Sequence, residues 1–302
     1  MYGKGCRYLL QQGNNILDKG SIMIKMERSV LALILGFILV TVHLSALAEG
    51  LILTGPPRET PEKGMKMYGP IAAQLTKTLG VKVTYKHPGN WLKYQREMRN
   101  DKYDIVFDGP HFIAWRVEHL GHEALVKLPG KLQFMLVNGK DNSEVDNPDK
   151  LIGKRICGIS PPNLSTLSIL DYYRNPVRQP MIKGIKGGMG KVHKSFLGTK
   201  AKCDAAVLRT AFYKKKLKDE HRANLKTLYL SKAMPNQGIS VSKRISQKLK
   251  DKIAMDLTLG KGVESTKGIL KRFGGKAKSF IPVKPKEYAG YNMLLEGVIF
   301  GW

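Results

Sequence analysis

The chain has 302 residues, 51 Lys and Arg against 24 Asp and Glu, a formal net charge of +27 and three cysteines. That length holds one large or two medium domains with real cores, and so few cysteines exclude a disulfide framework. A cytosolic chain this basic points to nucleic acid, but the N-terminal segment directs the chain elsewhere.

Residues 30–44 are mostly apolar, preceded by Lys25 and Arg28 and followed by Ala46-Leu47-Ala48. The run is too short to cross roughly 30 Å of hydrocarbon, which takes about 20 residues. A charged start, an apolar middle and an A-x-A end read as a cleavable export signal. Residues 1–22 are too long and polar for an ordinary start to such a signal, so translation is expected to begin at Met23 or Met26. No Cys follows Ala48 directly, and nothing marks a lipoprotein. The expectation is an export leader over 1–48, a periplasmic protein beginning near Glu49, and no nucleic-acid partner. Residues 1–48 hold five basic and two acidic residues, leaving about +24 beyond them. Such charge suits an anionic envelope surface or steers an anionic solute; it serves equally well as an ordinary solvated surface, as in the polar pattern around Lys214-Lys215-Lys216.

Strands and helices then alternate. "GLILTG" reads as a buried strand, and "MYGPIAAQLTKTLG" places Ile71, Leu75 and Leu79 on one helix face. "VKVTYKH" alternates as a strand; "NWLKYQREM" sets Trp91, Tyr94 and Met98 on one helical stripe. "YDIVFDGP" is a buried strand ending in a turn, and "HFIAWRVEHLG" is a helix closed by Gly121. This order implies a parallel sheet covered on both faces. "KLQFMLVNGKDNSEVDNPDKL" carries a strand into a polar crossing between domains. The pattern restarts with strand "KRICGIS", a helix from about Ser165 through "ILDYY", strand "PMIKGI", a helix around "KVHKSFLG" and strand "CDAAVLR". Helices near "SQKLKDKIAMDLTL" and "STKGILKRF" follow, expected to pack back on the first domain. Cys157 and Cys203 lie beside strands of one region. A single bridge and a pair of small buried hydrophobes are both open, since geometry decides.

Chemistry-bearing motifs are sparse. "GIKGGMGK" fails as a phosphate loop, because Ile185 stands where Gly is needed and Val192 follows Lys191. His119 and His122 flank Gly121 without H-E-x-x-H spacing, so a solvated helix end is favoured over a metal site. Ser165 lacks a G-x-S-x-G context, and no constellation demands catalysis or a cofactor. The informative places are three loops at strand ends, "TGPPRETPEKG", "FDGPHF" and "SPPNLSTLS". In open parallel sheets, ligands sit there against helix N-termini. Asn163, Ser165 or Thr166 caps the last helix.

Taken in order, "PPRE", "YDIVFDGPHFIAW", "KLIGKRICGISPPNLSTLSILDYY", "CDAAVL" and "MPNQGISVSKRIS" resemble the periplasmic solute-binding proteins of phosphate, phosphite and phosphonate importers. The resemblance implies an α/β, two-lobed class II periplasmic binding protein fold, each lobe a mainly parallel sheet flanked by helices. The lobes are expected over 49–139 plus 238–302 and over 140–237. It further implies a monomer with no enzymatic activity and no cofactor or metal, closing on a small, anionic solute for an ABC permease in the inner membrane. Its ligand residues map to Arg58, Trp91, Asp108, Gly109, Asn163, Ser165, Thr166, Lys191, His193 and Gln237. Four places depart from the family pattern. Asn163-Leu164-Ser165 stands for a Ser-Thr-Ser triplet, Trp91 for a Tyr, Lys191 for a His, and Gln237 for an acid. A larger, less polar solute and a sensory or envelope-surface role are the alternatives.

Overall fold

The computed structural model describes residues 50–198 and 202–298; the export leader expected over 1–48 lies outside the described residues. The first sheet is built from β1 (Leu51–Thr54), β2 (Val83–Tyr85), β3 (Ile105–Asp108), β4 (Glu123–Lys127), β12 (Gly238–Val241) and β13 (Ile281–Pro282). Its order is β13-β4-β12-β3-β1-β2. β1 pairs in parallel with β2 and β3, and β12 enters antiparallel between β3 and β4.

Between these strands run α1 (Pro61–Leu79), α2 (Trp91–Arg99) and α3 (Pro110–Leu120). α1 begins six residues before Met67, where the predicted stretch starts, because Thr60 accepts the Lys63 N–H and Pro61 takes the first helical position, where its missing N–H costs nothing. It buries Ile71, Leu75 and Leu79 and stops at left-handed Gly80. α3 likewise ends at left-handed Gly121. α8 (Gln247–Thr258) and the short helices α9 (Gly262–Ser265) and α10 (Lys267–Ile269) complete this half. The segment "STKGILKRF" is not one helix: α10 gives way to a π turn over Leu270–Gly274. Ile253, Leu257, Ile269 and Leu270 share one core with Leu53, Ile71 and Phe107.

The second sheet holds β6 (Phe134–Gly139), β7 (Arg155–Gly158), β8 (Met181–Gly184), β9 (Ala205–Arg209) and β10 (Leu225–Leu230), in the order β10-β6-β9-β7-β8. α4 (Leu164–Leu170), α5 (Met189–Leu197), α6 (Thr210–Lys215) and α7 (Asp219–Ala223) connect its strands. α4 stops short of the tyrosines expected to extend it, and the chain turns before Asn175-Pro176, with Arg174 at φ 47°. Cys157 and Cys203 are bridged, with Cα atoms 5.6 Å apart. β6 pairs antiparallel with β9 and β10, so it belongs to the second sheet although the expected boundary at 139 assigns it to the first lobe. Its partners lie some 70–90 residues away, and nothing local in 134–139 announces them. The crossings are β5 (Lys131–Leu132) and β11 (Met234–Pro235), which pair with each other. The C-terminal helix α11 (Met293–Glu296) packs on both α3 and α4.

Candidate functional site

β1 and β3 end at the same edge of the first sheet, and β12 begins there, since Gly238 pairs with Asp108. This places Arg58, Asp108 and Gln237 together. Arg58 donates through Nη1 to Gln237 Oε1 and through Nη2 to Asp108 Oδ1 at 3.2 Å, while its guanidinium lies over the Phe273 ring.

Asp108 is fully buried and is met by four donors. Arg58 and the Gly109 N–H reach Oδ1, whereas the Tyr94 hydroxyl and Arg116 Nη2 reach Oδ2. A carboxylate offers about four lone-pair sites, so Asp108 is saturated and acts by holding Arg58 in place. Arg116 is equally buried and donates also to Ser240 Oγ and Tyr94 Oη at 3.1 Å. Burial alone depresses its pKa, but Tyr94 and Asp108 outweigh that and hold it above the ordinary value. Burial drives the Tyr94 hydroxyl well above its usual range.

Gly109 opens α3 without a side-chain cap. A Cβ there would stand 3.0 Å from His111 Nδ1, so glycine allows the imidazole to fold over the strand end. His111 Nε2 lies 3.0 Å from the Pro162 carbonyl oxygen, linking the start of α3 to the loop that feeds α4. A carbonyl only accepts, so Nε2 carries the proton and Nδ1 is an acceptor, unpartnered among the described residues. Burial pushes the His111 pKa down to about 4 against the pull of Asp108, and the ring is neutral near pH 7.

Across this junction Asn163 caps α4, its Oδ1 accepting the Ser165 N–H and hydroxyl at 3.1 and 2.7 Å. The Thr166 hydroxyl donates to the Ile159 carbonyl. Both hydroxyls are buried and give their protons internally, keeping lone pairs to accept. Trp91 stacks on Phe112 with ring centroids 6.1 Å apart, and both belong to an apolar cluster with Leu164 and Leu167. Aromatic side chains of the first half thus pack against the helix start of the second.

Lys191 and His193 stand apart from this group. They sit on α5, which packs on β7 and β9. Lys191 is exposed and folds over Gly187, while the His193 ring faces His221 at 5.3 Å. The sequence reading missed His111, Phe112 and Arg116. His111 directly follows the Gly-Pro of a loop already singled out, and Arg116 is one turn beyond Phe112 on a buried helical face, so both signals were present. Among the described residues no group of three or more metal-type ligands occurs, and no helix is long and apolar enough to cross a membrane.

Two α/β halves joined by paired crossing strands, with polar groups gathered where they meet, define a periplasmic binding protein fold. Residues 53–288 match the family described as ABC transporter, phosphonate, periplasmic substrate-binding protein, and the chain belongs to that family. Its members are periplasmic solute-binding proteins rather than enzymes, and membership implies a small-molecule ligand and a permease partner. Among solved structures, XAC2383 from Xanthomonas citri bound to chloride ion is 13% identical at a TM-score of 0.62, covering 82% of this chain and 96% of its own. PhnD1 from Prochlorococcus marinus in complex with methylphosphonate is 18% identical at 0.56, covering 81% and 96%. A binding protein component of an ABC phosphonate transporter from Pseudomonas aeruginosa is 14% identical at 0.52, covering 79% and 82%. At these identities the likeness is one of fold. No curated protein matches the chain.

Proposed function

We propose that the chain is exported with cleavage near Ala48 and works as a monomer that captures a small oxyanion or phosphonate-like ligand by hinge closure, delivering it to an ABC permease. One lobe is the first sheet with its returning C-terminal helices, the other the second sheet, and the hinge is the β5–β11 crossing. The observation that supports this most is Arg58, fixed by Asp108 and Gln237 at a strand-end edge beside the uncapped start of α3. There a cation and a helix dipole converge on one position. Arg58 and the backbone after Gly109 take the anionic end of the solute, with Gln237 holding the guanidinium. Trp91 packs its body, and Asn163, Ser165 and Thr166 contact it from the second lobe. Lys191 adds charge as the lobes close, with His193 on the same helix facing His221.

A second reading rests on Leu164. It occupies the centre of the position where the family presents a hydroxyl triplet, inside the apolar cluster of Trp91 and Phe112, which favours a larger, less polar solute. Titration calorimetry with methylphosphonate, phosphite and phosphate separates the two. The first reading expects at least one to bind and Arg58→Ala to weaken it at least tenfold, since a hydrogen bond to a charged group contributes about 1.5–3 kcal/mol. Unchanged affinity in Arg58→Ala, or in Asn163→Ala/Ser165→Ala, overturns the site. Binding of neutral apolar solutes alone selects the second reading.

A further inference from the structure

Arg116 and Arg58 carry their charge into the fold with partners to meet it: Arg116 rests on Asp108, Tyr94 and Ser240, and Arg58 on Asp108 and Gln237. Arg209 does not follow them. It ends β9 half-buried, with Nε closed off from solvent and without a hydrogen-bond partner among the described residues. Burial alone acts on its pKa, lowering it, and no carboxylate opposes the shift. A surface arginine lays down its stem and keeps the guanidinium in water. Arg209 instead takes part of the guanidinium inside.

The strand register shows where this side chain goes. Arg209 lies directly opposite Phe134 on β6, as Val207 lies opposite Leu136, and residues opposite each other in a ladder share a face. Phe134, Leu136 and Val207 face the cluster that holds Trp91, Phe112 and Leu164, whereas Met135, Ala206 and Leu208 belong to the core on the other side. Arg209 therefore issues from the face turned toward the junction of the halves. α4 covers that face, packing on β6 and β9. Thr166 in its first turn sits beside Val207, since a Cβ on Gly158 would stand 2.9 Å from Thr166 Oγ1 and 3.6 Å from Val207 Cγ2. Arg209 is two residues, about 6.6 Å, further along the strand. β7 runs parallel beside β9 with Cys157 level with Ala206, so this end of β9 is level with the loop over 160–163 that feeds α4.

From these observations we infer that Arg209 is a ligand-binding residue of the second half, taking an anionic group of the solute, phosphonate or carboxylate, where the halves meet. The inference rests on the proposed capture of an anionic solute between them. An unpaired charge inside a protein is costly, and such costs persist at sites kept for function, where the partner arrives from outside. The start of α4 leaves this task open: Leu164 brings no donor, and Asn163 Oδ1 is taken up by the Ser165 N–H and hydroxyl. Arg209 supplies donors from β9 instead, and its planar fork suits a group with two or more anionic oxygens. With Arg58 fixed on the first half and Arg209 on the second, each half brings one cation to the solute as the hinge closes.

The test joins titration calorimetry with methylphosphonate and phosphonoacetate to thermal melts of the ligand-free protein. Arg209→Met keeps the stem and removes the charge. It is expected to weaken at least one of the two solutes by about tenfold or more, and Arg209→Lys, which keeps the charge, to lose less. Loss for both solutes marks one oxyanion shared by Arg58 and Arg209, and loss for phosphonoacetate alone marks a second anionic group. Without ligand, Arg209→Met is expected to melt no more than about 2 °C below wild type, because no partner within the protein is stranded. Arg116→Met strands Asp108 and is expected to melt well below both. Unchanged affinity for both solutes in Arg209→Met, or a melting temperature lowered beyond that margin, overturns the inference. If neither solute binds wild type, the small-oxyanion reading of the site fails instead, and melts repeated in inorganic sulfate decide for Arg209. Wild type is then expected to gain more than Arg209→Met, and equal gains overturn the assignment.

Discussion

Asp108 and Arg116 form a pair that water does not reach, with side chains 0% and 1% exposed. Breaking one member of such a pair strands the other charge in low dielectric, which costs about 3–5 kcal/mol. Asp108→Asn keeps the shape of the side chain and removes its charge. It is expected to lower unfolding stability by about 3 kcal/mol in urea titration and to release Arg58 as well, so that ligand affinity and stability fall together. Arg58→Ala, with its side chain 21% exposed, leaves Arg116 on Asp108 and is expected to cost less stability than Asp108→Asn, about 1–3 kcal/mol, while weakening ligand affinity. His111 supplies a pH signature. Its folded pKa is lowered from the ordinary 6.5 to about 4, chiefly by burial, so the unfolded chain takes up a proton that the folded ring refuses. Stability is therefore complete above pH 6.5 and is lost progressively as pH falls toward about 4. His122 contributes in the same direction, since burial first and Arg116 second also push it to about 4. His111→Phe is expected to flatten part of the slope of unfolding free energy between pH 6.5 and 4, and an unchanged slope would refute the neutral-ring assignment.

At the scale of elements, what could be read depended on whether a signal was local. The stripes Ile71-Leu75-Leu79 and Trp91-Tyr94-Met98 were legible because helical burial repeats within a few residues. Gly121 ended α3 as expected because left-handed φ strongly favours glycine. β4, whose sequence Glu123–Lys127 lacks clean alternation, was not seen, and β6 was placed with the wrong sheet. Both take their positions from antiparallel partners far along the chain. The bridge between Cys157 and Cys203 was undecidable from spacing, since it depends on β7 lying beside the segment that enters β9. It closes a loop of 46 residues, for which chain entropy gives roughly 4 kcal/mol as an upper figure. Cys157→Ser/Cys203→Ser is expected to lose about 2–4 kcal/mol, and dithiothreitol is expected to lower the melting temperature of wild type but not of the variant.

The whole molecule is organised by two thin crossings, β5 and β11, paired through Leu132 with Met234 and Lys131 with Pro235. Small changes of φ and ψ there would swing one half against the other, the usual geometry of hinge closure. A two-lobed plan was legible in the sequence because the β-α-β pattern stops, crosses a polar stretch and restarts. The apolar character of the junction was legible in part, through Trp91 and Leu164, but the share of Phe112 was not, because Phe112 and Leu164 become neighbours only once both halves are folded. That junction offers a direct reading of closure. Trp91 stacks on Phe112 within the cluster that holds Leu164, so movement of the second half exposes or covers its indole. Trp115 sits on α3 in the same cluster, its ring 4.8 Å from that of His119 one turn on, so it reports on the junction alongside Trp91. Ligand addition is therefore expected to change the intrinsic tryptophan fluorescence, Trp91→Phe to reduce that change, and Trp91→Phe/Trp115→Phe to abolish most of it. If Trp91→Phe binds ligand with the full wild-type signal, closure does not pass through the contact of Trp91 with Phe112.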